Sequence, residues 1–166
     1  HKLDDLNLME STREEFYKLS EDIELKPEIQ SLYEQNLDRD LFITNQIGDF
    51  DKYEITLVKA IDFYNKIANI DFELHSYLKL SNLYLFEKFD FEKCTNLLDH
   101  VKSKLPSAEN KQKVRGFYYY QLAEYERRLG NFQQHQFYKL TMDCFDSIQF
   151  FPVEYENSIY RYANFN

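Results

Sequence analysis

Three glycines, three prolines and no tryptophan occur in 166 residues. So little turn-forming material excludes the many tight reversals of a β-sandwich or barrel. It also excludes a glycine-built phosphate cradle: neither G-x-x-x-x-G-K-S/T nor G-x-G-x-x-G occurs. Cysteine is scarce. Cys94 and Cys144 stand far apart in sequence, which excludes a disulfide framework and fits a reducing compartment. No apolar run approaches the roughly 20 residues that span a bilayer. No signal peptide opens the chain and no Asn-x-Ser/Thr sequon occurs. These absences lead us to expect an intracellular protein, cytoplasmic or nuclear. Positive charge is in deficit: 20 Lys and Arg face 29 Asp and Glu, a net charge of −9. That argues against a nucleic-acid surface and against docking on anionic lipid. A basic or apolar protein segment is the partner such a charge suits.

What the chain has instead is aromatic and periodic. Fifteen Phe and fourteen Tyr are present, more than one small core uses in most folds, and stacked helices give them gaps to fill. Phe50, Phe91 and Phe132 recur 41 residues apart, each after a short oxygen acceptor: Asp49, Asp90 and Asn131. Fixed-period recurrence of this kind marks stacked repeats. Downstream of each Phe, a helical stripe repeats as Tyr53, Leu57, Ala60, then Cys94, Leu98, Val101, then His135, Lys139, Met142. Lys139 breaks the pattern. Upstream, Tyr77, Ser81 and Tyr84 recur as Tyr118, Leu122 and Tyr125. Each unit therefore reads as helix A, a tight turn, then helix B. Asp49, Asp90 and Asn131 are placed to cap helix B, and Gly48 and Gly130 to end helix A in a left-handed residue.

This order resembles the tetratricopeptide repeat family over about residues 30–150. The best match is Tyr77, Leu80, Ser81, Tyr84, then Phe91, Cys94, Leu98, Val101 and the closing Pro106. Three departures stand out. The period is longer than the family's ~34 residues, Lys88-Phe89 replaces the turn glycine of unit two, and His135 and Lys139 occupy core positions of unit three. The resemblance implies an all-α fold, a right-handed α-α superhelix of about three antiparallel helix pairs with flanking helices. It also implies protein or peptide binding on the concave side.

Taken in order, 11–25 is expected to form a helix behind overlapping capping boxes at Ser11–Glu14 and Thr12–Glu15, burying Phe16, Leu19 and Ile23. Pro27 ends it. The units follow at about 28–68, 72–105 and 108–150. Asp71 is the candidate cap of the second helix A, and Ser107 opens the third. Four consecutive aromatics, Phe117 to Tyr120, point in different directions on a helix, so at least one must face a neighbour or a groove. Residues 153–166 read as a partial fourth unit. With the opening at His1, this leads us to expect a single solenoid domain cut from a longer chain, with Tyr160, Tyr162 and Phe165 partly exposed or packed on another chain.

No catalytic constellation emerges. H-E-x-x-H and Glu-x-x-His are absent, and His75, His100 and His135 lack metal spacing. His135 and Cys94 read as core residues. No enzyme activity, metal or cofactor is expected. Helical offset from the tyrosine stripe places Leu37, Leu41 and Asn45, then His75, Leu78 and Asn82, on the concave face. Tyr119, Ala123, Glu126 and Arg127 follow, then Tyr160 and Asn164. Asn82 and Asn164 lie two periods apart, and an Asn amide can bond both the N–H and C=O of an extended peptide. The leading expectation is a non-catalytic interaction scaffold. Two alternatives stay open: a repeat domain sensing a short peptide, similar to bacterial pheromone receptors, and a structural segment assembling through its C-terminal end face.

Overall fold

A computed structural model describes residues 27–164, together with Ser11, Thr12, Glu15 and Tyr17. Seven α-helices are described: α1 (Pro27–Ile47), α2 (Phe50–Lys66), α3 (Ile70–Phe86), α4 (Phe91–Lys104), α5 (Lys111–Arg128), α6 (Gln134–Asp146) and α7 (Val153–Ala163). A 3₁₀ turn, Leu105–Ser107, follows α4. No strand occurs among the described residues. The fold is all-α. Most of the expected 11–25 helix, with Phe16, Leu19 and Ile23, lies outside the described residues, as does Phe165; Ser11, Thr12, Glu15 and Tyr17 are helical.

The chain divides into two compact units, His1–Thr56 and Leu57–Asn166, with the boundary inside α2. In the first, Tyr17 lies edge-on to Tyr33 at 4.9 Å and donates its hydroxyl to Asp40 Oδ2 at 3.0 Å. Leu37 and Leu41 of α1 are buried. In the second, α3 packs on α4, α5 on α6, and α6 on α7; α5 also packs on α3, α4 and α7.

The turns carry the 41-residue period most faithfully. Gly48, Phe89 and Gly130 all adopt positive φ, at 72°, 54° and 74°. At Gly48 and Gly130 the next residue's N–H reaches back to the last helical turn: Asp49 to Thr44 O at 3.0 Å and Asn131 to Glu126 O at 2.9 Å. Each closes a Schellman motif. Phe89 takes the same left-handed backbone in a longer turn, Asp90 N–H reaching back to Tyr84 O at 2.9 Å, and its side chain disfavours that conformation. Its ring is 59% exposed, so little packing offsets that strain. Phe89→Gly is expected to raise stability by about 0.5 kcal/mol, and Gly130→Ala, whose added methyl meets nothing, to lower it by about 1 kcal/mol. Urea denaturation of both variants checks the opposite signs.

Caps follow the sequence at Asp49 and Asp90, which accept from Lys52 N at 3.2 Å and Lys93 N at 3.0 Å. Others are corrected. Asn69, not Asp71, caps α3, accepting from Phe72 N at 3.4 Å. Asp71 instead accepts from Glu109 N and Asn110 N, both at 2.9 Å, tying the start of α3 to the start of α5. The third long helix begins at Lys111 rather than Ser107, because Leu105–Ser107 is spent in the 3₁₀ turn. Asn131 caps nothing: its Nδ2 donates to Glu126 Oε2 at 2.6 Å, and α6 starts only at Gln134.

That late start rotates α6. Its buried stripe is Gln134, Tyr138, Thr141 and Phe145, 40 residues beyond Cys94, Leu98, Val101 and Leu105 rather than 41. The one-residue slip has two consequences in the third unit. Lys139 turns outward, and Phe132 becomes 88% exposed. Phe91, its counterpart, is packed 6.3 Å from the Tyr125 ring. Gly116 is required where α5 crosses α6: a methyl there would lie 2.4 Å from the Phe145 ring.

Candidate functional site

The four consecutive aromatics diverge as helical geometry demands. Phe117 meets His75 of α3 at 4.9 Å, edge-on. Tyr118 is buried. Tyr119 stacks on Phe137 of α6 at 6.3 Å. Tyr120 accepts at its hydroxyl from Asn157 Nδ2 of α7 at 3.4 Å. The stripe of α5 assigned to a groove therefore faces its own helix B. Tyr119 and Arg127 face α6, Ala123 is fully buried, and Glu126 holds Asn131.

Arg127 belongs to a buried ionic cluster that sequence reading missed. Glu124, 3% exposed, accepts from Arg127 Nε at 2.9 Å and Nη2 at 2.6 Å, and from the Tyr138 hydroxyl at 2.6 Å. Arg161 of α7 approaches it at 4.0 Å. Burial, and after it the neighbouring carboxylate, push the Tyr138 hydroxyl well above its ordinary pKa. The signal was present: Glu124 stands 41 residues after Leu83, which is also buried. An acid at a repeat's apolar position needs partners, and Tyr138 at the register of Leu98 supplies one. This cluster ties three helices together; it is a packing device.

Other expected groove residues also move. Leu37, Leu41, Leu78 and Ala123 are buried and present almost no side chain to a partner. They lie on the apolar stripes that bury each helix, so helical offset alone misassigned their face. Asn45 is exposed on α1. On α7, Tyr160 is 65% exposed, and Asn164 spends its Nδ2 on Tyr160 O at 2.9 Å. Tyr162 stacks on His135 at 4.0 Å. Asn157 and Asn164 stand 41 residues after Gly116 and Ala123, and α7 leaves Val153, Ile159 and Tyr160 exposed.

What remains is the seam between α3 and α5. Three cross-helix pairs define it: His75 with Phe117, Asn82 Nδ2 donating to Gln121 Oε1 at 3.3 Å, and Arg128 over the Phe86 ring at 4.6 Å. Residue numbers rise together along both helices, so α3 and α5 run parallel here. From Lys113 to Arg128 the seam is about 22 Å long, at roughly 1.5 Å of rise per residue. Lys79 and Lys113 flank His75, and together with burial they drive its pKa down to about 4, burial being the larger cause. Lys113 also lies over the Phe150 ring at 4.9 Å. Gln121 is buried and its Nε2 has no acceptor among the described residues. Asn82 is exposed. The local charge is thus positive, opposite to the chain's average.

Both cysteines are buried, and burial pushes the Cys94 thiol up to about 12. Thiols held so far from the thiolate are poor nucleophiles. No group of three metal-ligating side chains gathers among the described residues. No described helix is long and apolar enough to cross a membrane. Comparison with family models, curated proteins and solved structures finds no match.

Proposed function

We propose that this chain is a tetratricopeptide-like interaction module that holds an extended protein segment along the α3–α5 seam. The observation that carries this reading is the seam itself. It is a continuous line in which half-buried aromatics, an exposed Asn82 amide and lysines with no carboxylate partner among the described residues alternate over parallel helices. Folding alone does not call for that mixture: an apolar seam would bury more surface without leaving cations beside a histidine. An extended segment finds apolar contact at Phe86 and Phe117, and a backbone partner in Asn82 Oδ1.

Selection from a random library of about twelve-residue peptides tests the reading. The expected result is an enriched set whose binding is abolished by Asn82→Tyr, an exposed substitution that blocks the seam, and is unchanged by Tyr160→Ala. Binding lost with Tyr160→Ala and retained by Asn82→Tyr would move the site to α7 and refute the seam.

A further inference from the structure

The seam carries more positive charge than its own stability explains. Helix α5 opens with Lys111-Gln-Lys113-Val-Arg115 and has no acidic residue in its first turn. Cations there oppose the helix dipole, which favours negative charge at an N-terminus. Across the seam, Lys79 projects from α3 beside His75. Neither Lys79 nor Lys113 reaches a carboxylate among the described residues, whereas Lys104, Lys93 and Arg127 all do. At the far end, Arg128 lies over Phe86 and Phe89, at 4.6 and 5.8 Å from their rings. Of the acids nearby, Glu87 and Glu109 are exposed at the two ends of the seam, and three others are committed. Glu124 is buried in its cluster, Glu126 holds Asn131, and Asp71 holds the backbone at Glu109 and Asn110. No seam-facing position, from His75, Lys79, Asn82 and Phe86 to Lys113, Phe117, Gln121 and Arg128, is a carboxylate.

We propose that the segment held in this seam is acidic: an extended stretch of a partner protein whose Asp or Glu side chains meet Lys113, Lys79 and Arg128 while intervening apolar side chains rest on Phe117 and Phe86. This rests on the module reading above and reverses the preference for basic partners that net charge alone implies. Like charges along the seam repel one another in the free protein, and carboxylates arriving from a partner relieve that repulsion. Charge complementarity of this kind sets partner choice and association rate. An extended chain advances about 3.3 Å per residue, so the seam accommodates about seven residues.

The test uses three pools of dye-labelled peptides, each about eight residues long, with Leu, Phe or Tyr at alternate positions. The residues between are Asp/Glu, Ser/Gln or Lys/Arg. Fluorescence anisotropy is expected to show binding of the acidic pool alone, weakening at least about tenfold when salt is raised from about 50 to 500 mM. Lys79→Gln with Lys113→Gln, both at accessible positions, is expected to weaken it by about tenfold or more. Equal binding of the Ser/Gln pool, or better binding of the Lys/Arg pool, lost in Asn82→Tyr, overturns the acidic preference and leaves the seam standing. Acidic binding that neither the lysine variant nor Asn82→Tyr weakens places the site elsewhere and overturns both readings, as does binding of no pool.

Discussion

Glu124→Ala is expected to destabilise the protein by about 3–5 kcal/mol. The carboxylate is 3% exposed and serves Arg127, Tyr138 and, at 4.0 Å, Arg161. Removing it strands the buried Tyr138 hydroxyl and leaves the Arg127 guanidinium without its counter-charge. Losing one partner of a buried pair costs far more than the pair's net worth, because the remaining charge keeps its desolvation penalty. Replacing the whole cluster is a different case. Glu124→Leu, Tyr138→Phe and Arg127→Met together are expected to recover most of the loss, since apolar side chains at those places need no partners. Urea denaturation of the single and triple variants measures both. A single variant within about 1 kcal/mol of wild type would mean that the cluster is wetter and weaker than its geometry implies.

Acid is expected to weaken the fold through His75. Its pKa is about 4 in the folded chain, against an ordinary 6.5. Burial disfavours the imidazolium, and Lys79 of α3 and Lys113 of α5 add repulsion. The folded state therefore binds fewer protons than the unfolded state between these two values, and stability falls as pH drops from 6.5 towards 4. Above 6.5 the contribution is fully present. At about pH 4.5 the loss amounts to roughly 2–3 kcal/mol, from about 1.4 kcal/mol per pKa unit. Carboxylates titrate in the same range, so the comparison must be with His75→Gln, which stays neutral. Wild type should lose about 2–3 kcal/mol more than His75→Gln between pH 7 and 4.5. Parallel losses would show that His75 is protonated as easily folded as unfolded.

Sequence reading located the helices and turns because those follow local rules. Gly48 and Gly130 mark left-handed turns that any neighbour would permit, and Phe89 sits at the same register with positive φ in a longer turn. Asp49 and Asp90 cap the helices they precede. Leu57, Ala60, Cys94, Leu98 and Val101 are buried as their spacing requires. The third helix B was misread because a period cannot reveal a slip. Starting α6 at Gln134 turns it by one residue, about 100° for an α-helix, and Tyr138 and Thr141 enter the core where Lys139 and Met142 were expected. The candidate site suffered from the same limit. Helical offset names a face, but which neighbour covers that face is a tertiary fact. Leu37, Leu41, Leu78 and Ala123 fell on covered faces, and Tyr119 and Arg127 on α6. His75 and Asn82 were named from sequence; their contacts with Phe117 and Gln121 were not. The acidic partner proposed above departs from the preference that net charge suggests, since −9 is a sum over the chain and a partner meets only a local part of it.

The measurement that bears most directly on the seam is an NMR titration with the best-binding peptide, following backbone amides and the His75 ring. The largest shifts are expected at His75, Lys79, Asn82, Phe117 and Gln121, with the His75 pKa rising from about 4 as carboxylates offset Lys79 and Lys113. Shifts centred on Ile159 and Tyr160, with an unmoved His75, would contradict the account.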